Sequence, residues 1–280
     1  MRGVGIITDA SAHFLTPRFT GSERVHILPL PILWEGQHYL PPSARLTAAL
    51  PPSLLHQPPP RLQLPSPTEI ARQIKALLNK YDSLLFLPMG SSLTDLFQRA
   101  AEAVNTLSKH RPVYLVDTHT LDLGLGWLVQ EAAALAAQDA DIFTILSHIR
   151  GMVQRLYAAF CLRSLTYLHH SGFLEPAQAI IGEMLEMYPF FVLETGRLVP
   201  LQKARSSRHV LDIMEEFTLE FTNLQRIGIT HHTTHFHRAA YNLHTRLTDK
   251  IAVPVHVSEI NTVSAVLLGP KTLGIHILTE

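Results

Sequence analysis

The chain has 280 residues, of which 46% are hydrophobic and 16% are charged, and its formal net charge at pH 7 is zero. This length and composition suffice for one large domain or two ordinary ones with a sizeable core. Proteins that bind nucleic acid or an anionic membrane usually carry an excess of positive charge. Because the net charge here is zero, neither is expected as a partner.

The cysteine content and the N-terminus narrow the class of protein. A single cysteine, Cys161, excludes an internal disulfide and a cysteine-rich zinc site, and its apolar neighbours favour a buried thiol. The segment MRGVGIITDAS lacks a long apolar region with a cleavage site, and no run approaches 18 apolar residues. We therefore expect a cytoplasmic protein without stable membrane insertion.

The first half of the chain alternates between strand-like and helix-like segments. GVGIITDA predicts a buried strand, and HILPLPILW, residues 26–34, predicts a second. SLLFLPM and PVYLVDT predict further strands, each followed by a helical pattern, and Thr68 is the expected cap of the helix before SLLFLPM. Such alternation is typical of a parallel, doubly wound sheet, so we expect an α/β/α domain over residues 1–150.

Residues 41–67 interrupt this alternation, because they contain nine of the 19 prolines. Proline removes a backbone donor and fixes φ, which excludes a long helix or a central strand there. Two interpretations stay open: an irregular connector, or a cover that drapes over a ligand site.

The second half predicts a different architecture. Residues 144–159 predict a helix, a strand follows near FCLRSLTYL, and PFFVLETGRLVPLQ predicts two strands around a turn at Gly196. Helical patterns then alternate with strand-like runs. The helices are expected over about 207–224 and at FHRAAYNLHTRLTD, and the strands at QRIGITHH, AVPVHVS and LGIHILTE. We expect an α+β domain over residues 151–280 with a mixed or antiparallel sheet.

Several segments together carry a family resemblance. IITDASAHF resembles a strand ending in Thr-Asp-Ser, SSLTDLFQRA resembles Ser-x-Leu-Ser-Gly-Thr-Tyr-Gln, and PVYLVDTHTLDLGLGWL resembles a Val-x-Asp-Ser strand with its helix. LTYLHHSGFLEPAQAIIGEMLEMYPFFVLETGRLVPLQKAR and LLGPKTLGI resemble two later signatures. The chain is identified as a divergent member of the DegV family, with the resemblance running from residue 3 to about 275.

The resemblance implies a two-domain α/β protein, of the EDD fold, that encloses a long-chain fatty acid or similar lipid. It implies a cavity at the domain junction that extends into the C-terminal domain, with polar side chains holding the carboxylate. Some members present the acid to a partner fatty-acid kinase, which performs the chemistry. The resemblance therefore implies a lipid-binding protein that is not itself an enzyme and needs no cofactor.

The polar end of that ligand site differs in this chain. Leu62, Phe173 and Leu267 stand where the family has Thr, Arg and His. An ionised carboxylate buried without partners costs several kcal/mol, so we expect altered head-group recognition, which argues against transfer to a kinase. Burial of roughly fourteen methylenes at about 0.8 kcal/mol each, roughly 11 kcal/mol before association costs, still favours binding of an apolar tail.

The candidate ligand-binding residues are the remaining polar groups and the apolar replacements. Ser91 and Thr94 lie in a loop that enters a helix, where backbone N–H groups point outward, but they can equally cap that helix. Arg205 matches a family arginine and is alternatively a solvated surface residue, and the apolar residues are alternatively plain core. The full set is Ser11, Leu62, Ser66, Ser91, Thr94, Phe173, Arg205, Leu267 and Gly269.

Other functions stay open as alternatives. A scaffold or interaction protein would have a vestigial pocket filled by Leu62, Phe173 and Leu267. A serine hydrolase would use Ser91 or Ser92 with a distant histidine and Asp9, although MGSSL fits the G-x-S-x-G elbow poorly. His231 and His235 have the spacing of zinc ligands, but no HExxH or carboxylate accompanies them, so no metal is expected.

Overall fold

The computed structural model describes residues 3–107, 112–184, 187–232 and 234–280. The chain divides into two compact units: the first runs up to Pro31 and resumes at Gln63–Arg155, and the second comprises Ile32–Leu62 and Leu156–Glu280. We expected a single boundary near residue 150. The structure instead assigns residues 32–62 to the second unit, because their apolar side chains share a core with residues 260–266.

The regular elements follow one another along both units. The strands are β1 Val4–Asp9, β2 Val25–Leu28, β3 Ile32–Trp34, β4 Gln37–Tyr39, β5 Arg61–Leu62, β6 Ser83–Leu87, β7 Val113–Leu115, β8 Leu156–Leu162, β9 Tyr188–Glu194, β10 Arg197–Ala204, β11 Leu224–His231, β12 Val255–Glu259 and β13 Thr272–Thr279. The helices are α1 Ala44–Ala49, α2 Pro67–Leu78, α3 Leu96–Asn105, α4 Asp122–Ala137, α5 Ile142–Val153, α6 Thr166–His170, α7 Pro176–Met184, α8 Ser207–Leu219, α9 His237–Thr248 and α10 Thr262–Leu268.

The first unit is built on a four-stranded parallel sheet in the order β2-β1-β6-β7. Strands β1 and β6 are buried along their whole length, as expected of parallel strands covered on both faces. Helices α2 and α3 pack on each other, as do α4 and α5. The predicted α/β class with a parallel sheet is therefore confirmed.

Helix α2 begins at a cap that differs from the one we expected. Its N-cap is Ser66, whose hydroxyl accepts the N–H of Glu69, while the Glu69 carboxylate accepts the N–H of Ser66 at 2.7 Å. Thr68 is instead an exposed residue of the first turn. The prediction of Thr68 as the cap was wrong, because Ser66 and Glu69 form a capping box and Pro67 suits the first helical position.

The second unit contains a six-stranded mixed sheet in the order β10-β9-β8-β13-β11-β12. The pair β11–β12 is parallel and the other neighbours are antiparallel. Strands β9 and β10 form the predicted hairpin, in which Glu194 pairs with Arg197 across the turn at Gly196. Apolar residues of α8 and α9 pack with one face of this sheet, which forms the main core of the unit.

A small antiparallel sheet, in the order β4-β3-β5, lies in the proline-rich part of the chain and just before it. Helix α1 occupies the proline-free stretch 43–50, and its Leu46 is fully buried in the core with Ile32 and Trp34. The proline-rich segment is therefore not a plain irregular connector. It contributes a helix, a strand and part of a core.

Two predicted elements were wrong. The single strand at 26–34 is broken by Pro29 and Pro31 into β2 and β3, which join different sheets. The helix predicted over 144–159 ends at Val153, because the apolar run from Leu156 pairs along β13 as β8.

Helix α4 is the most apolar helix of the first unit and is buried around most of its circumference. It has 16 residues. Within the described residues, no helix combines the length and apolarity that crossing a bilayer requires.

Candidate ligand-binding site

The carboxyl ends of β1 and β6 meet where the strand order of the first unit reverses. The chain leaves β1 for β2 on one side, whereas β6 lies on the other side of β1. In open α/β sheets, ligands bind in the crevice outside such a switch point. The loops that follow these two strands carry Ser11, Ser91 and Thr94, so three predicted site residues lie at this edge.

Asp9, the last residue of β1, organises this edge. Its fully buried carboxylate accepts the backbone N–H of Ser11 at 2.8 Å and that of Met89 at 2.6 Å. Burial raises the pKa of Asp9, while hydrogen bonds from Ser11 and Met89 act in the opposite direction. Asp9 thus ties the two loops together, a role that we did not predict from the sequence.

The loop after β6 is also held by the segment after β7. The Thr118 hydroxyl donates to the carbonyl of Pro88 at 2.7 Å, and the N–H of Ser91 donates to the Asp117 carboxylate at 3.0 Å. Ser91 itself is exposed, so its hydroxyl is accessible to a ligand. The hydroxyl of the half-buried Thr94 instead accepts the N–H of Leu96, the first residue of α3, at 3.3 Å, while the N-cap residue is Asp95.

A histidine–aspartate pair lies at the same edge. His13 Nδ1 lies 2.8 Å from Oδ1 of the fully buried Asp122, at the start of α4. Burial lowers the pKa of His13, but the hydrogen bond and the charge of Asp122 outweigh it, so the pKa is raised above its ordinary value. The sequence analysis did not identify this titratable pair at the edge of the sheet.

Close backbone packing supports this pair. The N–H of His13 donates to the carbonyl of Asp122, and the N–H of Asp122 donates to the carbonyl of Ser11, each at 3.1 Å. A Cβ at Gly126 would overlap the carbonyl oxygen of His13. Gly126 therefore permits the close approach of α4 to the loop after β1. Its role is in packing.

Ser66, the fourth predicted polar residue of the first unit, is engaged in helix capping. Its hydroxyl and its N–H both bond to the Glu69 carboxylate, and these bonds lower the pKa of Glu69. The preceding residues are held by Arg99, whose guanidinium donates to the carbonyl of Leu64 at 2.9 Å. Ligand contact by Ser66 would require it to leave this capping box.

The apolar replacements lie in the second unit. Leu62 is half-buried against the core that contains Ile32 and Val266, and Leu267, the next residue of α10, is 5% exposed. The Ser171 hydroxyl donates to the carbonyl of Leu267 at 3.0 Å, which links the end of α10 to the segment carrying the half-buried Phe173. Leu62 thus packs on the cluster that contains Val266, whereas Leu267 of the same helix is buried but is not a member of that cluster.

Gly269 ends α10 against a buried tyrosine. Its φ is +91°, and an added Cβ would lie 2.9 Å from the ring of Tyr167. The Tyr167 hydroxyl donates to the carbonyl of Pro51 at 2.7 Å, so this ring anchors the proline-rich segment within its own unit. Glycine at 269 is therefore required by backbone conformation and by space.

Arg205, the one cation among the predicted residues, is exposed and follows the last residue of β10. Its exposure agrees with the alternative of a solvated surface arginine.

The histidine-rich segment and Cys161 have structural surroundings. His231 ends β11 and contacts the ring of His237, while His232 Nε2 lies 2.7 Å from the carbonyl oxygen of Thr47. Among the described residues, no group of three or more His, Cys, Asp or Glu side chains is arranged to hold a metal. Cys161 is buried, and burial raises the pKa of its thiol.

Relatives match the chain over nearly its whole length. The family model described as "Uncharacterised protein, DegV family" matches residues 3–280. A DegV domain-containing protein of Streptomyces coelicolor is 26% identical over 278 residues, which are 98% of each chain. A second relative, from Halalkalibacterium halodurans, is 24% identical over an alignment of 288 positions, gaps included, that covers 98% of each chain.

Solved structures share the fold. A fatty-acid-binding DegV family protein of Thermus thermophilus superposes with a TM-score of 0.83 at 23% identity, covering 99% of this chain and 100% of that one. The fatty acid kinase B3 protein of Streptococcus pneumoniae, solved with linoleic acid, gives a TM-score of 0.84 at 16% identity, with coverage of 99% and 100%. On the family match and these full-length likenesses, the chain belongs to the DegV family.

Proposed function

We propose that the chain binds a long-chain fatty acid or a similar apolar lipid, with weaker recognition of the carboxylate than its fatty-acid-binding relatives. The observation that carries the proposal is the apolar character of positions 62 and 267, where the family resemblance implies polar residues: Leu62 packs on the cluster that contains Val266, and Leu267 is buried. Relatives of the same fold were solved with fatty acids, including linoleic and vaccenic acid. An apolar region within that fold suits the tail of such a ligand.

The energetics favour retention of the tail over retention of the head group. Burying roughly fourteen methylenes contributes roughly 11 kcal/mol before association costs. A carboxylate without a cation or hydroxyl partner loses several kcal/mol on burial. The ligand range should therefore include neutral lipids, such as alcohols and esters of the same chain length.

The polar groups proposed for the head group lie at the carboxyl edge of the parallel sheet. The exposed Ser91 is the best placed, because its backbone is fixed by Asp117 and its hydroxyl is accessible. His13 adds a protonatable ring whose pKa Asp122 raises. Ser11 and Thr94 are weaker candidates, since Ser11 is buried and the Thr94 hydroxyl already accepts the N–H of Leu96.

The proposal assigns no chemistry to the chain itself. Among the described residues, no histidine is hydrogen-bonded to the Ser91 hydroxyl, so nothing activates it as a nucleophile. A kinase that phosphorylates the bound acid would need the carboxylate to be held for transfer. The loss of polar residues at positions 62, 173 and 267 argues against that partnership.

A scaffold with a self-filled pocket is the second candidate, because the chain's own residues already bury Leu267 to 5% exposure. Mass spectrometry of the organic extract of the purified protein separates the two. Lipid binding predicts a fatty acid or related lipid at a substantial fraction of one per chain. The scaffold predicts an empty extract and no uptake of added oleate after delipidation.

A further inference from the structure

Four histidines, which we call the histidine cluster, lie where β11 ends and α9 begins. His231 is the last residue of β11 and His232 follows it, and both are buried. The ring centroid of His235 lies 5.5 Å from that of His232, and the ring centroid of His237 lies 5.1 Å from that of His231. The proposed lipid binding uses none of these residues.

His232 connects the histidine cluster to α1, although the two are far apart in the sequence. Its Nε2 donates to the carbonyl oxygen of Thr47, 185 positions away, at 2.7 Å. Thr47 lies in the last turn of α1, and a histidine N–H can satisfy a carbonyl at such a helix end. One imidazole therefore links the end of a central strand to a helix of the proline-rich segment.

The hydrogen-bond partners of His232 determine which ring nitrogen carries the proton. Nδ1 accepts the backbone N–H of Thr234 at 3.3 Å, so this nitrogen is unprotonated. Nε2 carries the hydrogen that the carbonyl of Thr47 accepts, and the ring is therefore neutral. On protonation Nδ1 becomes a donor. The Thr234 hydroxyl, 3.1 Å away, can accept the new proton, but the backbone N–H of Thr234 then loses its acceptor.

The surroundings of His235 disfavour a positive charge. Burial lowers the pKa of its ring, and the charges of His232, Lys271 and Arg163 lower it further. Arg238, in the first turn of α9, adds an exposed cation to the same end of the unit.

His231 is under a similar influence, with one opposing charge. Burial lowers the pKa of its ring, and the charges of His237 and His232 act in the same direction. The hydrogen bond from its Nδ1 to the carbonyl of His232 and the carboxylate of Glu259, its partner across the β11–β12 pair, raise the pKa. The lowering influences are the stronger, so His231 is also neutral in the folded arrangement.

The lowered pKa values of His231 and His235 fix the direction of the pH effect. A histidine of this kind binds a proton more readily when its surroundings open. The closed arrangement is therefore most stable above the ordinary pKa of about 6.5, and it loses stability as the pH falls below that value.

We propose that the histidine cluster is a pH-sensitive contact that holds the carboxyl end of α1 against the end of β11 at neutral pH and loosens it in mild acid. Other contacts keep α1 in the unit: the Thr262 hydroxyl accepts the N–H of Ser43 and bonds to the Thr47 hydroxyl, each at 2.9 Å, and Leu46 is buried in the core. The charged residue of α1, Arg45, is exposed. Acid therefore loosens one end of the helix without detaching it.

Hydrogen–deuterium exchange of the full chain, read by mass spectrometry, measures this loosening in a peptide that spans residues 44–50. The peptide includes the amide of Leu50, which donates to the carbonyl of Leu46 at the end of α1. Each proton taken up on opening changes the opening equilibrium by up to about tenfold per pH unit. We expect the protection factor, corrected for the intrinsic effect of pH, to fall by about tenfold or more from about pH 7.5 to about pH 5.5. Strand β1, in the other unit, is the internal reference and should keep its protection.

Two variants assign the response to the histidine cluster. The double variant His232→Gln with His235→Gln removes two titrating rings, while the glutamine at 232 retains an N–H donor, so the fall in α1 protection should shrink to less than about threefold. His256→Gln is the matched control, because His256 is an exposed histidine of β12 outside the cluster, and the full response should remain. If the double variant does not fold, His235→Gln alone, at a half-buried position, should still reduce the response.

Three results would overturn the proposal. The first is α1 protection in the wild type that does not change with pH. The second is a loss of protection that β1 shares, which would show acid unfolding of the whole chain. The third is a response that survives the histidine substitutions or that His256→Gln removes equally.

Discussion

The buried carboxylate of Asp9 accepts a 2.6 Å hydrogen bond from the backbone N–H of Met89. This bond joins the loop that follows β1 to the loop that follows β6. The Asp9 side chain, at the end of β1, therefore fixes the position of the backbone at Met89, just after β6. The loop that carries Ser91 begins at this point.

Replacing Asp9 tests that relationship. Asp9→Asn puts an amide NH₂ where one oxygen accepts a backbone N–H, so a buried donor loses its partner. We expect the free energy of unfolding to fall by about 1–3 kcal/mol, measured by urea denaturation. Asp82→Asn is the control, because Asp82 accepts the N–H of Gly3 at an exposed position and should cost less than about 1 kcal/mol. Equal losses in both variants would refute a special role for Asp9.

The His13–Asp122 pair predicts a pH dependence of stability. Because the folded-state pKa of His13 is raised, its protonation stabilises the fold fully below the ordinary value of about 6.5, and this contribution disappears as the pH rises through the folded-state value. The melting temperature of the wild type should therefore exceed that of His13→Gln by more at about pH 6 than at about pH 9.

Thermal unfolding of both proteins across that range measures the difference. Asp122→Asn should reverse the sign of the His13 contribution, since burial, which lowers the pKa of His13, is then no longer outweighed by the Asp122 carboxylate. A gap between wild type and His13→Gln that grows towards high pH would contradict the assignment.

Two glycines in helices provide a matched pair for packing. Gly126→Ala would drive a Cβ into the carbonyl oxygen of His13, and we expect a loss of about 1–3 kcal/mol in unfolding free energy. Gly151→Ala, on the exposed side of α5, meets nothing within 4 Å and should stabilise by about 0.5–1 kcal/mol. Denaturant titration of the two variants should give shifts of opposite sign, and shifts of the same sign would disprove the close approach.

Restoring polar groups near α10 should change ligand preference. The double variant Leu62→Thr with Leu267→His supplies a hydroxyl and an imidazole where the family has them. We expect the preference for oleate over methyl oleate to rise about tenfold, the effect of one or two hydrogen bonds to a charged group. Leu40→Thr, at an exposed position, is the control and should leave the preference unchanged. An unaltered preference in the double variant would place the head group elsewhere.

Much of the fold could be predicted from sequence, because its elements follow strong local patterns. Buried apolar runs predicted β1 and β6, and the turn at Gly196 predicted the β9–β10 hairpin. The assignment of residues 32–62 to the second unit could not be predicted, since it depends on packing of Leu46 with residues more than two hundred positions away. Local pattern carries no information about such contacts.

The candidate site was predicted in part. The family motifs identified Ser11 and Ser91, and parallel strand order places both at one edge of the sheet. The His13–Asp122 pair was missed because its members are 109 positions apart, although each lies in a segment that resembles a family motif.

The central claim, a lipid site with weakened carboxylate recognition, is tested most directly by paired titration of the delipidated protein with oleate and methyl oleate. Both ligands have the same acyl chain, so the ratio of their dissociation constants measures the contribution of the head group to binding. We predict that both bind and that the two constants agree within about fivefold, a difference of about 1 kcal/mol. Binding of neither ligand, or a preference for oleate of about a hundredfold or more, would contradict the claim.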